Sequence, residues 1–203
     1  MLGWYLRLVA RTARIGPVTR EQAVLAFWHE YNLALFVVAA ARRGDLPHAS
    51  FTTATPRGTV IRTIFESLAR VPGQVIILAL PEERAAAAAR ALARRLGDLG
   101  ASGYSLVVTP DGPWGRYRVA KPGALIVARQ AGLPILPMAV RARPAIRLPG
   151  RWDRQLVPLP FSRLSLVVGE AIAVPSRAPL RPLTASLQAA LDSVTAAAER
   201  RLP

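Results

Sequence analysis

The sequence contains no cysteine, only two histidines, His29 and His48, and a single lysine, Lys121. The absence of cysteine excludes disulfides, thiolate metal sites and a cysteine nucleophile. Two histidines without a spacing such as H-E-x-x-H predict no structural or catalytic metal. The glycine-rich nucleotide-binding motifs and the G-x-S-x-G serine elbow are absent as well, which argues against P-loop, dinucleotide-binding and serine-elbow chemistry.

Long uncharged segments are also lacking, although the composition is 52% hydrophobic and the mean hydropathy is +0.26. No uncharged stretch approaches the roughly 20 apolar residues that a membrane-spanning helix needs. Residues 1–16 carry three arginines and no clear cleavage site, so they are not read as a signal peptide. Their pattern predicts an amphipathic helix with a basic face, which is typical of interfacial membrane helices and also of ordinary surface helices.

Acidic residues are few, with 12 against 27 basic ones, and the formal net charge is +15. Such a charge attracts nucleic acid, anionic lipid headgroups and acidic substrates. A codon bias that fills solvated faces with arginine would give the same composition. No helix-turn-helix, zinc-finger or RNA-binding signature occurs, so a specific nucleic-acid partner is not expected.

Apolar strand-like runs alternate with helical patterns along the chain. This alternation predicts a single domain over residues 1–203 with an α/β fold, in which helices cover a mostly parallel mixed sheet. Residues 141–160, rich in arginine and proline, are predicted to form a structured loop. Pro134 and Pro137 indicate that the strand they bracket lies at a sheet edge or begins irregularly. The predicted strands are Ala23–Trp28, Ala49–Ala54, Gln74–Leu80, Tyr104–Thr109, Ile135–Val140 and Leu164–Val168, and the predicted helices are Trp4–Ile15, Tyr31–Arg42, Thr59–Arg70, Pro81–Leu96, Pro122–Ala131 and Leu180–Arg201, the last within a C-terminal segment of residues 179–203.

His29 and Asp111 each follow a predicted strand. If those strands are parallel, both side chains belong to the edge of the sheet at which α/β folds bind ligands. A histidine placed there can serve as a general base, because its pKa lies near neutrality. The alternative is a half-buried histidine that only makes a hydrogen bond.

The turn at Asp111 and Gly112 is followed by three cations, Arg116, Arg118 and Lys121, and then by a predicted helix. Guanidinium groups, an ammonium group and the first amides of a helix are the groups that bind phosphate. The segment is therefore a candidate anion-binding loop. The simpler interpretation is a turn in which the aspartate bonds to its own backbone.

The segment VVTPDGPWGRYRVAKPGALIVARQAGLPILPMAV resembles the glycerophospholipid and lysophospholipid acyltransferase superfamily. That superfamily has a carboxylate-glycine phosphate motif, a Gly-x-x-x-x-Ala helix and a Gly-x-Pro-Ile-x-Pro strand, which Gly123, Ala128, Gly132, Pro134, Ile135 and Pro137 match in order. A bacterial branch classed as a domain of unknown function is more similar still. Its motifs match FWH at 27–29, TPDGP at 109–113, WDR at 152–154, PLPFSR at 158–163 and GEAI at 169–172, so the resemblance covers residues 20–175.

The resemblance implies an acyltransferase, with a thioester of acyl-CoA or acyl-carrier protein as donor and no bound cofactor. The acceptor would be a hydroxyl of a lysophospholipid or a related lipid. By position His29 would be the general base, and Asp111, Gly112, Arg116 and Lys121, with Arg118 as a weaker candidate, would hold the acceptor's phosphate. Such an enzyme would be cytoplasmic and peripheral on the inner face of the cell membrane, where anionic lipid is the expected partner and acyl-carrier protein a further candidate.

Two acids that the resemblance leads one to expect are missing. The superfamily places an aspartate five residues after the histidine, where this chain has Ala34, and the closer branch has an Asp-Gly where this chain has Arg57-Gly58. Glu30, Asp45 or Asp111 are the candidates to replace the orienting acid. The alternative function is a catalytically degenerate homologue that binds lipid or acyl chains.

Overall fold

The computed structural model describes residues 2–15, 21–41, 47–68, 73–80, 86–112 and 115–201. Helices and strands alternate along the chain, as the sequence predicts. The helices are α1 (Leu2–Thr12), α2 (Asn32–Ala41), α3 (Pro56–Leu68), α4 (Ala86–Ala101), α5 (Gly123–Ala131) and α6 (Leu180–Arg201). The strands are β1 (Arg14–Ile15), β2 (Val24–Ala26), β3 (His48–Thr53), β4 (Val75–Leu80), β5 (Ser105–Val108), β6 (Ile135–Arg147) and β7 (Leu156–Val168), and a 3-10 turn covers His29–Tyr31.

The strands form one sheet in the order β1-β7-β6-β2-β5-β3-β4. Strand β2 lies between β5 and β6 and is parallel to both, and β3 is parallel to β4 and β5. Strand β7 runs antiparallel to β6 and carries the short parallel strand β1 on its outer side. The predicted α/β fold with a mostly parallel mixed sheet is confirmed.

Helices cover the sheet in two groups. The chain moves in one direction across the sheet from β2 to β3 and β4, and then in the opposite direction to β5 and β6. Because parallel crossovers are right-handed, α2 and α3 lie on one face and α4 and α5 on the other. Helix α1 packs against α2 and α3, and α6 packs against β6 and α5. The buried apolar side chains between these layers form one continuous core.

The predicted loop over residues 141–160 is wrong. Strands β6 and β7 extend through most of this segment as an antiparallel hairpin, in which Ala142 pairs with Leu164 and Arg147 with Leu156. Pro144 lies at a register shift between its two neighbours, where the missing amide costs no ladder hydrogen bond. The prolines therefore suggested a loop where the structure has a strand that is irregular at Pro144. The two strands are connected by residues 148–155.

The suggested edge position of the strand at Ile135 is also wrong, because β6 lies between β2 and β7. The antiparallel pairing with β7 starts at Met138. Pro137 stands just before it and accepts a hydrogen bond from the Gly169 amide through its carbonyl at 2.8 Å. An acceptor alone is needed there, so a proline is tolerated inside the sheet.

Several element ends differ from the prediction within the described residues; α3, for example, begins at Pro56 and not at Thr59. Helix α1 ends at Thr12, before β1. Helix α4 continues past Gly97 to Ala101. Gly97 serves the packing of α4 on α5, because a Cβ there would lie 2.9 Å from the Cβ of Gln130 and its absence lets α5 approach closely. The predicted helix ends at Arg42 and Arg70 and the predicted start at Pro81 lie outside the described residues. In the part of the chain that is described, no helix is both long enough and apolar enough to span a bilayer.

Candidate functional site

His29 follows β2, at the centre of the sheet and at the carboxyl end of a parallel strand. The 3-10 turn begins at this residue, and the Tyr31 amide donates to the Trp28 carbonyl at 2.9 Å. Trp28 and Tyr31 are buried on either side of it. The strand therefore presents His29 at the end of the sheet where the parallel strands have their carboxyl ends, on a turn that is anchored by two large aromatic side chains.

Asp111 follows β5, the neighbour of β2, and lies against the backbone of His29. The His29 amide donates to both Asp111 carboxylate oxygens, at 3.1 and 3.3 Å. Asp111 is fully buried, and burial raises its pKa from 3.8 to about 7, against backbone hydrogen bonds that lower it. The two residues meet as expected from parallel neighbouring strands, but the carboxylate holds a peptide group rather than facing solvent.

The imidazole of His29 has neighbours from the turn after β5, from the β6–β7 connection and from the start of α3. Its Nδ1 lies 3.2 Å from Thr109 Oγ1, and its ring centroid lies 5.2 Å from that of Trp152. Burial lowers the pKa of His29 from 6.5 to about 4; the charge of Asp153 raises this pKa, whereas Arg151 and Arg57 lower it further. The ring is therefore neutral at pH 7, with Nδ1 bound to a hydroxyl.

The chain after β5 folds back so that Lys121 lies beside the start of the turn at Pro110 and Asp111. The Lys121 amide donates to the Pro110 carbonyl at 3.0 Å, and a Cβ on Gly112 would lie 3.8 Å from Lys121 Nζ. Gly112 has φ +64, and a Cβ on Gly115 would lie 1.7 Å from the Asp111 carbonyl oxygen. Both glycines are thus required by the local backbone, and the loop places an exposed ammonium group beside the turn.

Of the two arginines in this loop, Arg116 is exposed and Arg118 is engaged elsewhere. Arg118 Nε donates to Glu30 Oε1 at 2.5 Å, and the φ of +54 at Arg118 turns the backbone toward that contact. Glu30 also accepts from Arg147 Nη1 and, at 3.0 Å, from the Tyr117 hydroxyl. The guanidinium group of Arg118 is therefore paired with Glu30, whereas the backbone amide of Arg118 donates to the Asp111 carboxylate.

The fold is shared with a solved acyltransferase. The chain is similar to the crystal structure of the 1-acyl-sn-glycerophosphate (LPA) acyltransferase PlsC from Thermotoga maritima, with a TM-score of 0.57 and 12% sequence identity over 99% of this chain and 80% of that one. This chain has an acyltransferase fold. In sequence it is 24% identical over 185 residues, or 86% of this chain and 79% of the relative, to the uncharacterized protein RP090 of Rickettsia prowazekii (strain Madrid E). No protein-family model matches the sequence.

Within this acyltransferase fold, none of the acids suggested from the sequence is seen to orient the imidazole. Ala34 is buried in α2 and brings no carboxylate. Glu30 binds two guanidinium groups, and Asp111 binds the His29 amide. Asp45 lies outside the described residues. The hydrogen-bond partner that the structure gives to Nδ1 is the hydroxyl of Thr109.

Sequence reasoning recognised the TPDGP and WDR motifs but did not predict that Thr109, Trp152 and Asp153 within them lie near the His29 ring. Thr109, the residue before the Pro-Asp-Gly turn, directly follows β5, the neighbour of β2, and its place next to the histidine follows once those strands are paired. Trp152 and Asp153 come from the β6–β7 connection, which the sequence assigned to a loop. The run Trp-Asp-Arg was the available signal, since an aromatic residue and a carboxylate in a connection are typical of functional loops.

Across the described residues, no group of three or more histidine, aspartate or glutamate side chains is arranged to hold a metal ion. The site instead combines a neutral imidazole with cations from three elements. Arg57 is exposed at the start of α3, Arg151 is in the β6–β7 connection and Lys121 is beside the turn after β5. Such an arrangement can accept a proton at the imidazole and attract an anion beside it.

Proposed function

We propose that the protein is an acyltransferase, which moves an acyl group from an acyl thioester to a hydroxyl group of a lysophospholipid or a related lipid. The observation that carries this proposal is a neutral histidine at the carboxyl end of the central parallel strand, with Nδ1 on Thr109 and the backbone held by Asp111, in a fold shared with an acyltransferase. The finer resemblance, to the bacterial branch of the superfamily, remains a sequence-based prediction.

The reaction needs one proton acceptor and no oxidation or reduction. When Nδ1–H donates to Thr109, Nε2 of His29 carries the free lone pair and takes the proton of the acceptor hydroxyl. The oxygen attacks the thioester carbonyl carbon, the carbon–sulfur bond breaks, and the departing thiolate takes the proton from the imidazolium. Acyl-CoA and acyl-carrier protein present the same thioester, so the chemistry of the site fits either donor.

The cations around His29 favour an acceptor that carries a phosphate. In this proposal Arg116 and Lys121, which are exposed beside the Asp111–Gly112 turn, bind that phosphate. Asp111 acts through the backbone of the base, because its carboxylate is buried and occupied. Arg118 supports the loop through Glu30, and its contribution to phosphate binding is indirect.

The surface around α1 suits an anionic membrane. Trp4 is 71% exposed and Phe161 is 75% exposed, and the Phe161 amide donates to Thr12 at the end of α1 at 3.0 Å. Arg11, in α1, and Arg14, two residues after its end, are also exposed. Aromatic side chains with nearby arginines bind the interface of anionic bilayers. These features support the proposal that the enzyme acts at the inner face of the cell membrane.

A direct assay tests the proposed function. Purified protein is incubated with labelled acyl-CoA or acyl-carrier protein and a panel of lysophospholipids, and the acylated product is measured. Product formation is expected from the native protein and from the matched control His48→Ala, but not from His29→Ala. Equal turnover by native protein and His29→Ala would remove His29 from the chemistry.

The second candidate is a homologue that binds lipid or acyl chains without transferring them. It is favoured by the hydroxyl at Nδ1, the low pKa of His29, about 4, and the non-acidic residues Ala34 and Arg57. This candidate predicts that vesicles or acyl thioesters bind the protein equally well before and after His29→Ala, with no product in either case. Flotation with anionic and neutral vesicles, and with DNA at matched salt, measures the binding preference.

A further inference from the structure

The connection between β6 and β7 lies directly on the turn that carries the base. Gln155 Nε2 donates to the Glu30 carbonyl at 2.6 Å, and Arg147, the last residue of β6, pairs with the Glu30 carboxylate. Between these two anchors, the Trp152 ring is tilted by 45° against the His29 ring, with centroids 5.2 Å apart. The connection therefore forms one wall around the imidazole.

Asp153, the residue after Trp152, is a fully buried carboxylate in this wall. Its two oxygens accept from Arg151 Nε and Nη2, each at 2.8 Å, so the carboxylate is held in a fixed orientation. The connection turns through backbone bonds that do not involve this side chain, from Arg151 to Leu148 and from Arg154 to Arg151. Burying a carboxylate costs free energy unless it is paired, and here Arg151 supplies the pairing. The backbone bonds of the turn do not themselves require an acid at this position.

We propose that Asp153 is the positioning residue of the base, taking the part of the orienting acid that is absent at Ala34. Its carboxylate is the counter-charge for the imidazolium that forms when His29 takes a proton, and Arg151 and Trp152 fix the carboxylate and the ring relative to each other. This inference rests on the proposed function. It differs from the superfamily pattern because the acid comes from the β6–β7 connection instead of the helix after the histidine.

The charges near His29 come from three parts of the chain: the β6–β7 connection, the start of α3 and the turn after β5. Asp153 favours the protonated ring, whereas Arg151, beside it, and Arg57, from the start of α3, disfavour it. Asp111, after β5, contacts the amide of His29. Asp153 is thus the carboxylate whose charge supports the imidazolium, and Arg151 partly cancels its effect.

Histidine-selective NMR tests the inference without requiring activity, because the chain contains only two histidines. The signal of His29 is assigned with His29→Ala, and His48 is the internal reference. In Arg151→Gln, which frees the carboxylate and removes a cation, the pKa of His29 is expected to rise by about one unit. In the double variant Arg151→Gln/Asp153→Asn, the pKa of His29 is expected to lie at least about one unit below its value in Arg151→Gln. Asp98→Asn, an exposed control on α4, is expected to leave the pKa of His29 unchanged.

Two results would overturn the inference. The first is a His29 pKa that is the same in Arg151→Gln and in the double variant, and the second is a His29 pKa that does not change in Arg151→Gln. If acyl transfer is also measured, Asp153→Asn is expected to lower kcat at least about tenfold with little change in KM, and Asp153→Glu to restore part of it. A lack of any transfer by the native protein would refute the proposed function and leave the NMR comparison to decide the role of Asp153.

Discussion

Replacing His29 by glutamine removes a buried group whose proton affinity the fold lowers, and the consequence can be measured as stability. Burial, together with Arg151 and Arg57, lowers the pKa of His29 from 6.5 to about 4 against the opposing charge of Asp153. The unfolded chain therefore takes up a proton as the pH falls through 6.5, whereas the folded chain does so only near pH 4. Proton uptake by the unfolded chain alone favours unfolding.

The sign and size follow from these two values. The stability that the neutral histidine contributes is present above pH 6.5 and is lost as the pH falls from 6.5 toward 4. One pKa unit corresponds to about 1.4 kcal/mol, so a difference of about 2.5 units is worth roughly 3 kcal/mol below pH 4. At pH 5 about 2 kcal/mol of this is already lost. Glutamine does not titrate and keeps a polar group near Thr109.

Denaturant unfolding of the native protein and of His29→Gln at several pH values between 8 and 4.5 measures the effect. The difference in free energy of unfolding between the two proteins is expected to change by about 2 kcal/mol from pH 8 to pH 5, in favour of the variant at low pH. His48→Gln controls for the loss of a histidine as such. Parallel pH profiles for the native protein and His29→Gln would refute the reasoning, because the folded ring would then titrate as it does in the unfolded chain.

Three further predictions concern the stability of the protein and the pKa of His29. Glu30→Gln leaves two guanidinium groups without their carboxylate and should lower the free energy of unfolding by at least about 2 kcal/mol; an unchanged denaturation midpoint would contradict this. Gly115→Ala places a Cβ 1.7 Å from a backbone oxygen and should destabilise the protein, whereas Gly123→Ala, with open space around it, should not; equal melting temperatures would show that the loop adapts. Arg57→Ala removes a cation that lowers the pKa of His29, and histidine NMR should show that pKa higher in the variant.

The sequence predicts the fold well because the features of an α/β sheet are local. Buried strands appear as short apolar runs, and helix starts and ends carry their own signals. The meeting of His29 and Asp111 could also be predicted, because both residues end strands that a parallel sheet places side by side. These are consequences of periodicity and of the handedness of crossovers, and they need no knowledge of individual side-chain contacts.

What could not be predicted depends on contacts between residues far apart in the chain. The β6–β7 hairpin was concealed by prolines that a register shift accommodates, so its contribution of Asp153 to the site was lost with it. Arg118 stands among the loop cations in the sequence, but Glu30, 88 positions earlier, binds it. Charge patterning cannot distinguish a cation that meets a ligand from one that is paired within the protein.

The low pKa of His29 has a consequence for the acceptor. A base whose conjugate acid has a pKa of about 4 is neutral at pH 7, but it takes a proton from a hydroxyl only weakly. Burial is the main cause of that weakness, and Arg151 and Arg57 add to it. The negative charge of a phosphate bound by Arg116 and Lys121 would oppose the charge of these two arginines and raise the pKa of the ring. An acceptor without a phosphate would leave the base weak. If the proposed function holds, the site is therefore selective in the chemical step as well as in binding, because the anionic acceptor increases the basicity of the residue that deprotonates it.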